Sequence, residues 1–234
     1  HYDATAFDLK YATRSSGTWS VETVDAAGLV GMYSSIALDA LGRPTIAYYD
    51  VGAGALKVAS RGTTSWLVQV ADPGPNVGLY ASLALDTAGV PQVAYFDATN
   101  SDLRFAARVG GAWQVETVDR FGDVGFNPSL AMDLAGNPCI SYLDQTRQQL
   151  KLARKIEGTW SIEPIDTAKA IALPASLAID AEDNPRLAFL SSSGALQYVS
   201  GAIELIEPGA GTVWPAGWRR VVRWNGLGRV DVAI

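Results

Sequence analysis

The sequence is almost without the side chains that build most metal centres and nucleophilic triads. It has one histidine, His1, and one cysteine, Cys139. A single cysteine cannot form a disulfide within the chain, and a single histidine nearly excludes a zinc site or a histidine-based triad. Cys139 also occupies a repeat position that holds Thr45, Gln92 and Arg186 elsewhere, which is too permissive for a ligating or catalytic residue. We therefore expect no metal and no cofactor.

An excess of positive charge and long apolar runs are missing as well. The formal net charge is −6, whereas a nucleic-acid-binding protein normally has a basic face. No apolar run approaches the roughly 20 residues that span a bilayer. We therefore expect neither a nucleic-acid partner nor a membrane span. The sequence is instead 48% hydrophobic, with 23 glycines and 11 prolines, which is typical of an all-β protein with many turns.

A repeat of 47 residues organises most of the chain. Three sets of identical residues keep this spacing. They are Trp19, Trp66, Trp113 and Trp160; Asp39, Asp86, Asp133 and Asp180; and Pro44, Pro91, Pro138 and Pro185. Regular self-similarity at a period between 20 and 50 residues indicates a solenoid or a propeller.

Each repeat contains four short runs in which apolar and polar residues alternate. We label the predicted strands a (35–39), b (45–50), c (55–60) and d (66–70). Period-two alternation in runs this short, interrupted by Gly, Pro and Asp, predicts strands rather than helices. Four antiparallel strands in a unit of this length predict a β-propeller blade. An aromatic column in strand b is expected to fill the space between blades: His1, Tyr48, Tyr95, Tyr142 and Phe189.

The repeat also predicts where the domains lie. His1-Tyr2-Asp3 aligns with Tyr48-Tyr49-Asp50, so the chain opens at the end of a strand b. Three whole blades follow, and then strands a to c of a further repeat. This gives about five blade equivalents, so we expect an incomplete ring with sequence missing upstream. The pattern ends after Gly201, which divides the chain into propeller repeats at 1–201 and a second module at 202–234.

Both parts resemble known families. The unit S-I-A-L-D-A-L-G-R-P-T-I-A-Y-Y-D at 35–50 resembles the repeats of extracellular bacterial β-propellers. The second part resembles the start of an Ig-like β-sandwich of the Ser/Thr-rich GPI-anchor type. The matching residues are Pro208, Gly209, Trp214, Gly217, Trp224, Gly228, Val230 and Asp231. These resemblances imply a propeller followed by a stalk-like sandwich, located outside the cell or on its surface.

Candidate binding residues lie in the connections from strand d to the next strand a, predicted as loops at 25–34, 72–81, 119–128 and 166–175. These are the longest and least repetitive connections, and binding tends to reside in long loops on a rigid scaffold. Aromatic rings suit the faces of sugars, and amides or charged groups can fix hydroxyls. The candidates are Tyr33, Tyr80, Arg120, Asp123 and Asn127.

The recurrent aspartates and tryptophans have a simpler structural interpretation. Asp50 precedes Lys57 across the b–c hairpin, and the pair recurs in the other repeats. We interpret it as a cross-strand ion pair, worth under about 1 kcal/mol if exposed, rather than as a metal or acid–base site. The Trp19 column is expected to pack at the core or edge of a blade rather than to stack on sugars.

These observations favour a non-enzymatic binding or scaffold module, secreted or displayed on a cell, with a glycan or a surface protein as partner. An active site usually breaks a repeat, because several different residues must converge on one substrate. One alternative is a polysaccharide-active hydrolase or lyase, for which only Arg120 and Asp123 begin to supply unique polar residues. Another is a self-assembling surface or filament subunit, because exposed edge strands favour self-association.

Overall fold

The computed structural model describes residues 1–166, 175–190 and 196–200, and its regular structure is entirely β. Within these ranges no helix is present, so none is long and apolar enough to cross a membrane. The region predicted as a sandwich module, 202–234, lies outside the described residues. The all-β expectation is confirmed for the described part of the repeats.

Within the described residues, eighteen strands form five antiparallel sheets that follow one another along the chain. Sheet 1 contains β1 (Tyr2–Asp3), β2 (Asp8–Ser15) and β3 (Thr18–Asp25). Sheet 2 contains β4 (Val30–Leu38), β5 (Pro44–Asp50), β6 (Ala55–Arg61) and β7 (Trp66–Asp72). Sheet 3 contains β8 (Val77–Leu85), β9 (Pro91–Asp97), β10 (Asp102–Val109) and β11 (Ala112–Asp119). Sheet 4 contains β12 (Val124–Met132), β13 (Pro138–Asp144), β14 (Gln149–Ile156) and β15 (Thr159–Asp166). Sheet 5 contains β16 (Ser176–Ile179), β17 (Pro185–Leu190) and β18 (Leu196–Ser200).

The three four-stranded sheets have the strand order of a propeller blade. Sheets 2, 3 and 4 are four-stranded meanders in which each strand pairs with its neighbours in sequence. Their first strands lie innermost, because β4 contacts β8, β8 contacts β12, and β12 contacts β16. A serine joins successive inner strands: Ser35 Oγ accepts the Leu83 N–H at 3.0 Å, and 47 residues further on Ser82 Oγ accepts the Leu130 N–H at 2.9 Å.

The a–b turn forms as its composition predicts. Asp39 Oδ1 accepts the backbone N–H groups of Leu41 and Arg43 at 2.9 and 2.8 Å. Gly42 adopts φ +75, a left-handed conformation that glycine takes at little steric cost. Pro44 then begins β5. The turn is therefore closed by an aspartate cap and a glycine, as expected for this residue pattern.

In the part of the chain that the structure describes, the hydrophobic core consists of four clusters, one between each pair of consecutive sheets. The strand b tyrosines Tyr48, Tyr95 and Tyr142 are fully buried in these layers. The tryptophans of strand d pack against the preceding sheet, since Trp66, Trp113 and Trp160 each join the cluster shared with it. The predicted role of both columns in packing therefore agrees with the structure for these repeats. Trp19, in sheet 1, is 65% exposed.

A buried polar cluster, here called a clasp, joins each of three successive sheet pairs: sheets 1 and 2, sheets 2 and 3, and sheets 3 and 4. In the clasp between sheets 1 and 2, Asp25 Oδ2 accepts the Tyr48 hydroxyl at 2.7 Å and lies 3.3 Å from Lys57 Nζ. Lys57 Nζ also lies 2.7 Å from Asp50 Oδ2. Asp25 is at the end of the outermost strand of one sheet, whereas its three partners belong to the next. The clasp therefore joins two blades through one carboxylate.

The same clasp recurs twice. Between sheets 2 and 3, Asp72 Oδ2 accepts hydrogen bonds from the Tyr95 hydroxyl at 2.6 Å and from the Arg104 guanidinium at 2.8 Å. Between sheets 3 and 4, Asp119 Oδ2 accepts hydrogen bonds from the Tyr142 hydroxyl at 2.7 Å and from Lys151 Nζ at 3.0 Å. The second acids, Asp97 and Asp144, lie 3.6 and 2.8 Å from these cations.

In each clasp, the carboxylate that bridges two sheets (Asp25, Asp72 or Asp119) uses its two oxygens differently. While Oδ2 joins the next sheet, Oδ1 accepts a backbone N–H two residues further on, from Ala27, Gly74 and Phe121 respectively. The same oxygen therefore shapes the start of the d–a connection. A buried carboxylate is stable only when its lone pairs are satisfied in this way.

At Asp25 and Asp119, hydrogen bonds outweigh the cost of burying the carboxylate. Burial would raise the pKa of Asp119, but bonds from Tyr142, Lys151 and the Phe121 N–H hold it below its ordinary value. Asp25 behaves in the same way. Conversely, burial and the neighbouring carboxylate raise the pKa of the Tyr48 and Tyr142 phenols, so both remain protonated hydrogen-bond donors.

The ion pair predicted between Asp50 and Lys57 is present, and it is buried, so the energy given above for an exposed pair does not apply to it. Asp50, Asp97 and Asp144 are at most 4% exposed. The sequence shows the hairpin partners but not the neighbouring sheet that covers them. A buried pair stabilises the fold only when it is fully hydrogen-bonded, and removing one partner is far more costly than at the surface.

Candidate functional site

The inner strands carry an irregularity that the sequence pattern does not reveal. Strand a was expected at 35–39, after a loop, but β4 already begins at Val30. Its pairing with β5 shifts register twice, between Val30 and Met32 and between Met32 and Ser35. β8 and β12 repeat both shifts. The prediction that Tyr33, Tyr80 and Asn127 lie in loops is therefore wrong: they lie within bulged strands, and the bulges interrupt the alternation that identifies a strand.

A glycine makes each bulge possible. Gly78 adopts φ +101, and a Cβ placed on it would lie 2.8 Å from the Leu56 Cα of the preceding sheet. Gly31 and Gly125 meet the preceding sheet at 2.9 and 2.6 Å in the same way. The inner strand therefore approaches its neighbour too closely for any side chain at this point.

Two residues after the glycine, the backbone is strained. Tyr33, Tyr80 and Asn127 adopt φ +53, +55 and +46. Asparagine is among the few residues that tolerate this left-handed region, whereas a bulky residue such as tyrosine is an outlier there. The three positions are equivalent in the repeat, so the bulge directs all three side chains toward the same place.

These three residues line one open depression where the inner strands converge. We call it the axial depression, and its volume is about 310 Å³. Its lining comes from sheets 2 to 5: Tyr33, Ser34, Tyr80, Ala81, Asn127, Pro128, Ser129, Ala175 and Ser176. The two tyrosine rings are in contact, with centroids 4.7 Å apart and planes inclined at 57°.

A continuous aromatic layer supports the tyrosine pair. Tyr33 lies 6.3 Å from the ring of Tyr49, and Tyr80 lies 6.3 and 6.2 Å from those of Phe96 and Phe126. Burial, with Tyr33 beside it, raises the pKa of the Tyr80 phenol, so the hydroxyl stays protonated at neutral pH. Tyr33 is 39% exposed, which leaves part of the pair open to a ligand.

The structure separates the other two candidates from this group. Arg120 and Asp123 belong to the connection between β11 and β12 and do not line the axial depression. Arg120 is exposed. Asp123 is anchored by two hydrogen bonds of its backbone. Its N–H donates to Thr146 Oγ1 at 2.7 Å, and its carbonyl accepts the Gln145 N–H at 2.8 Å. Sequence reasoning also missed the lining serines Ser34, Ser129 and Ser176, although Ser129 and Ser176 are equivalent positions 47 residues apart.

No metal centre is apparent in the part of the chain that the structure describes, where no three His, Cys, Asp or Glu side chains gather in a geometry suited to an ion. The clasp carboxylates are satisfied by a phenol, a cation and a backbone N–H, as described above. The described residues that line the axial depression are neutral. The chemistry available there is stacking against aromatic rings and hydrogen bonding by hydroxyls and an amide.

No protein-family model matches the chain, and no curated protein matches it. Solved structures do match. A protein of unknown function from Dyadobacter fermentans has a TM-score of 0.52 at 14% identity, over 74% of this chain and 61% of that one. The fucose-recognising lectin of Aleuria aurantia, described as a six-bladed β-propeller, has a TM-score of 0.56 at 17% identity, over 91% of this chain and 73% of the lectin.

A third match is the Hadza microbial sialidase Hz136, with a TM-score of 0.54 at 16% identity, over 82% of this chain and 47% of the sialidase. The chain thus spans less than two thirds of the Dyadobacter protein and less than half of the sialidase. At these identities the likeness concerns the fold. Together with the repeated four-stranded sheets, it shows that the described part of this chain consists of β-propeller blades.

Proposed function

We propose that the chain is a non-enzymatic carbohydrate-binding module and that the axial depression is its binding site. The observation that carries this proposal is the convergence of Tyr33, Tyr80 and Asn127 on one open surface. Aromatic rings offer flat apolar faces to the C–H groups of a sugar, while the amide and serine hydroxyls can bond its hydroxyl groups. We retain the extracellular location as a prediction that suits this role.

Backbone strain at the tyrosines supports a functional role. A non-glycine residue in the left-handed region costs on the order of 1–3 kcal/mol, and such residues cluster at ligand sites. Asn127 and the bulge glycines show that the repeat has residues better suited to this backbone. Tyrosine at positions 33 and 80 therefore occupies a backbone conformation that asparagine or glycine adopts at lower cost, as expected where the side chain serves a ligand site.

The comparisons make carbohydrate a reasonable class of ligand. The Aleuria aurantia lectin has been solved with a fucosyl-GlcNAc disaccharide and with methyl fucoside. Because one fold hosts many functions, this likeness raises the expectation of a glycan without identifying the ligand or its site. The argument for the site rests on the residues of this chain.

A glycoside hydrolase is supported less well. Such enzymes need two carboxylates about 5–10 Å apart at the scissile bond. Among the described residues of the axial depression, none carries a carboxylate. The recurrent acids are bound up in clasps and turns, and Asp123 lies in a separate connection. Turnover of a polysaccharide that is lost on Asp123→Asn would favour the enzyme over the binding module.

The test is a glycan array comparing the wild type with Tyr80→Asn. Asparagine is the matched replacement, because Asn127 occupies the equivalent bulge at φ +46. Losing one stacking ring removes about 1–2 kcal/mol of binding free energy, so we expect affinity to fall about 5- to 30-fold. Tyr198→Asn, which removes a 65% exposed tyrosine on β18, is the control and should bind as the wild type does. Unchanged binding by a folded Tyr80→Asn variant would remove the axial depression as the site.

A further inference from the structure

The described lining of the axial depression is free of ionised groups. Its polar side chains are the phenols of Tyr33 and Tyr80, the amide of Asn127 and three serine hydroxyls. Ser129 Oγ already accepts the Leu177 N–H at 3.0 Å, which leaves its own O–H free to donate. A carboxylate or sulfate in this setting would give up hydration without meeting a cation, which is unfavourable.

Several cations of the described structure are already paired with carboxylates. The clasp cations Lys57, Arg104 and Lys151 each already lie against two carboxylates. Arg147 donates to Asp144 and to the Phe121 carbonyl at 3.0 and 2.9 Å. With a net charge of −6, the protein as a whole repels anions at a distance.

The aromatic half of the depression is a contacting pair of tyrosine rings whose planes are inclined at 57°. The Tyr33 and Tyr80 centroids are 4.7 Å apart, which is too close for a sugar ring to insert between them, because each face-to-face contact needs about 3.5–4 Å. The equivalent position on β12 holds Asn127, so sheet 4 contributes an amide instead of a further aromatic ring. The repeat is therefore broken at its axis, with an aromatic side and an amide side.

We infer that the axial depression binds one uncharged sugar unit per chain, with one sugar face on the Tyr33–Tyr80 pair and hydroxyls bonded by Asn127. This inference rests on the proposed function and adds two properties to it. The first is selection of neutral over acidic sugars. The second is a stoichiometry of one ligand per chain, in contrast to one per blade.

Isothermal titration calorimetry with matched ligands tests both properties on the full chain. The pairs are methyl glucoside with methyl glucuronide and methyl galactoside with methyl galacturonide, which differ only in a hydroxymethyl or carboxylate at C6. Methyl fucoside serves as a third neutral probe. We expect one neutral ligand per chain, at least tenfold weaker binding of its acidic counterpart, and little change in affinity between 0.05 and 0.5 M salt.

The possible failures are distinguishable. Tyr80-dependent binding that favours the acidic sugar and weakens with salt would overturn the neutral selectivity and leave the proposed function standing. A stoichiometry near one ligand per blade would overturn the single site. If none of the five glycosides and no array glycan binds, the proposed function itself is wrong. Tyr80→Asn reports on the depression, and Tyr198→Asn again serves as the control.

Discussion

Removing one clasp carboxylate tests whether buried polar contacts hold the blades together. Asp119→Ala deletes the acceptor for the buried Tyr142 hydroxyl at 2.7 Å and for Lys151 at 3.0 Å. The stranded phenol alone costs about 1–3 kcal/mol. Lys151 retains Asp144 at 2.8 Å, which limits the loss. We therefore expect a decrease of about 3–5 kcal/mol in the free energy of unfolding, the range found when a buried ion pair loses a partner.

Urea and thermal denaturation at pH 7 measure this loss. For a domain of this size, each kcal/mol corresponds to about 2–4 °C in Tm, so Tm should fall by roughly 6–20 °C. Asp123→Ala is the matched control, because Asp123 lies in the same connection and its bonds in the described structure come from its backbone. It should change stability by less than about 0.5 kcal/mol.

The pH dependence checks the same reasoning independently. The pKa of Asp119 in the folded state lies below its ordinary value of 3.8, so the unfolded chain binds its proton more readily. The stabilisation is therefore complete above the unfolded pKa and is lost as pH falls through the folded pKa. Between pH 5 and 2.5, the urea midpoint should decline less steeply for Asp119→Asn than for the wild type. A variant as stable as the wild type, with the same pH slope, would refute the role assigned to the clasp.

Two further predictions concern the bulge and the core. Gly78→Ala should destabilise the protein by at least about 2 kcal/mol, because it adds left-handed strain to a 2.8 Å overlap with the Leu56 backbone. Gly42→Ala, at φ +75 with nothing within 4 Å, should cost about 1 kcal/mol, and equal losses in urea denaturation would contradict the close-approach argument. Burial raises the pKa of the Cys139 thiol to about 12, so a thiol reagent such as DTNB at pH 8 should label the native chain only at its unfolding rate. Rapid stoichiometric labelling without denaturant would show that this part of the core opens freely.

Much of the architecture could be predicted from periodicity, because turn chemistry and strand alternation are local properties. The aspartate–glycine–proline turn at 39–44 indicated its own hydrogen bonds, and the Asp50–Lys57 pair followed from hairpin register. The bulge at 30–35 could not be predicted in this way. It arises where Gly31 of the inner strand packs so closely against Leu9 of the preceding sheet that a Cβ on Gly31 would lie 2.9 Å from the Leu9 Cα. That contact joins residues far apart in the chain.

The candidate site shows the same division. Tyr33, Tyr80 and Asn127 were recognisable as a variable column, and the inner-strand bulges bring them together. Arg120 and Asp123 were grouped with them because they share the same connections in sequence. They lie apart because Asp119 ends the outermost strand, so the residues that follow it begin on the periphery.

The sequence by itself determined the repeat length, the four strands of each unit, the turns and the residues that fill the layers between blades, since each depends on local pattern or on identity at equivalent positions. The tertiary structure decided which groups are buried together. A carboxylate at the end of one sheet's outer strand meets a phenol and a cation of the next sheet, and a strained tyrosine on one inner strand meets its equivalent 47 residues later. The reason is that stacking successive blades around an axis creates contacts between residues that no single repeat holds within reach of one another.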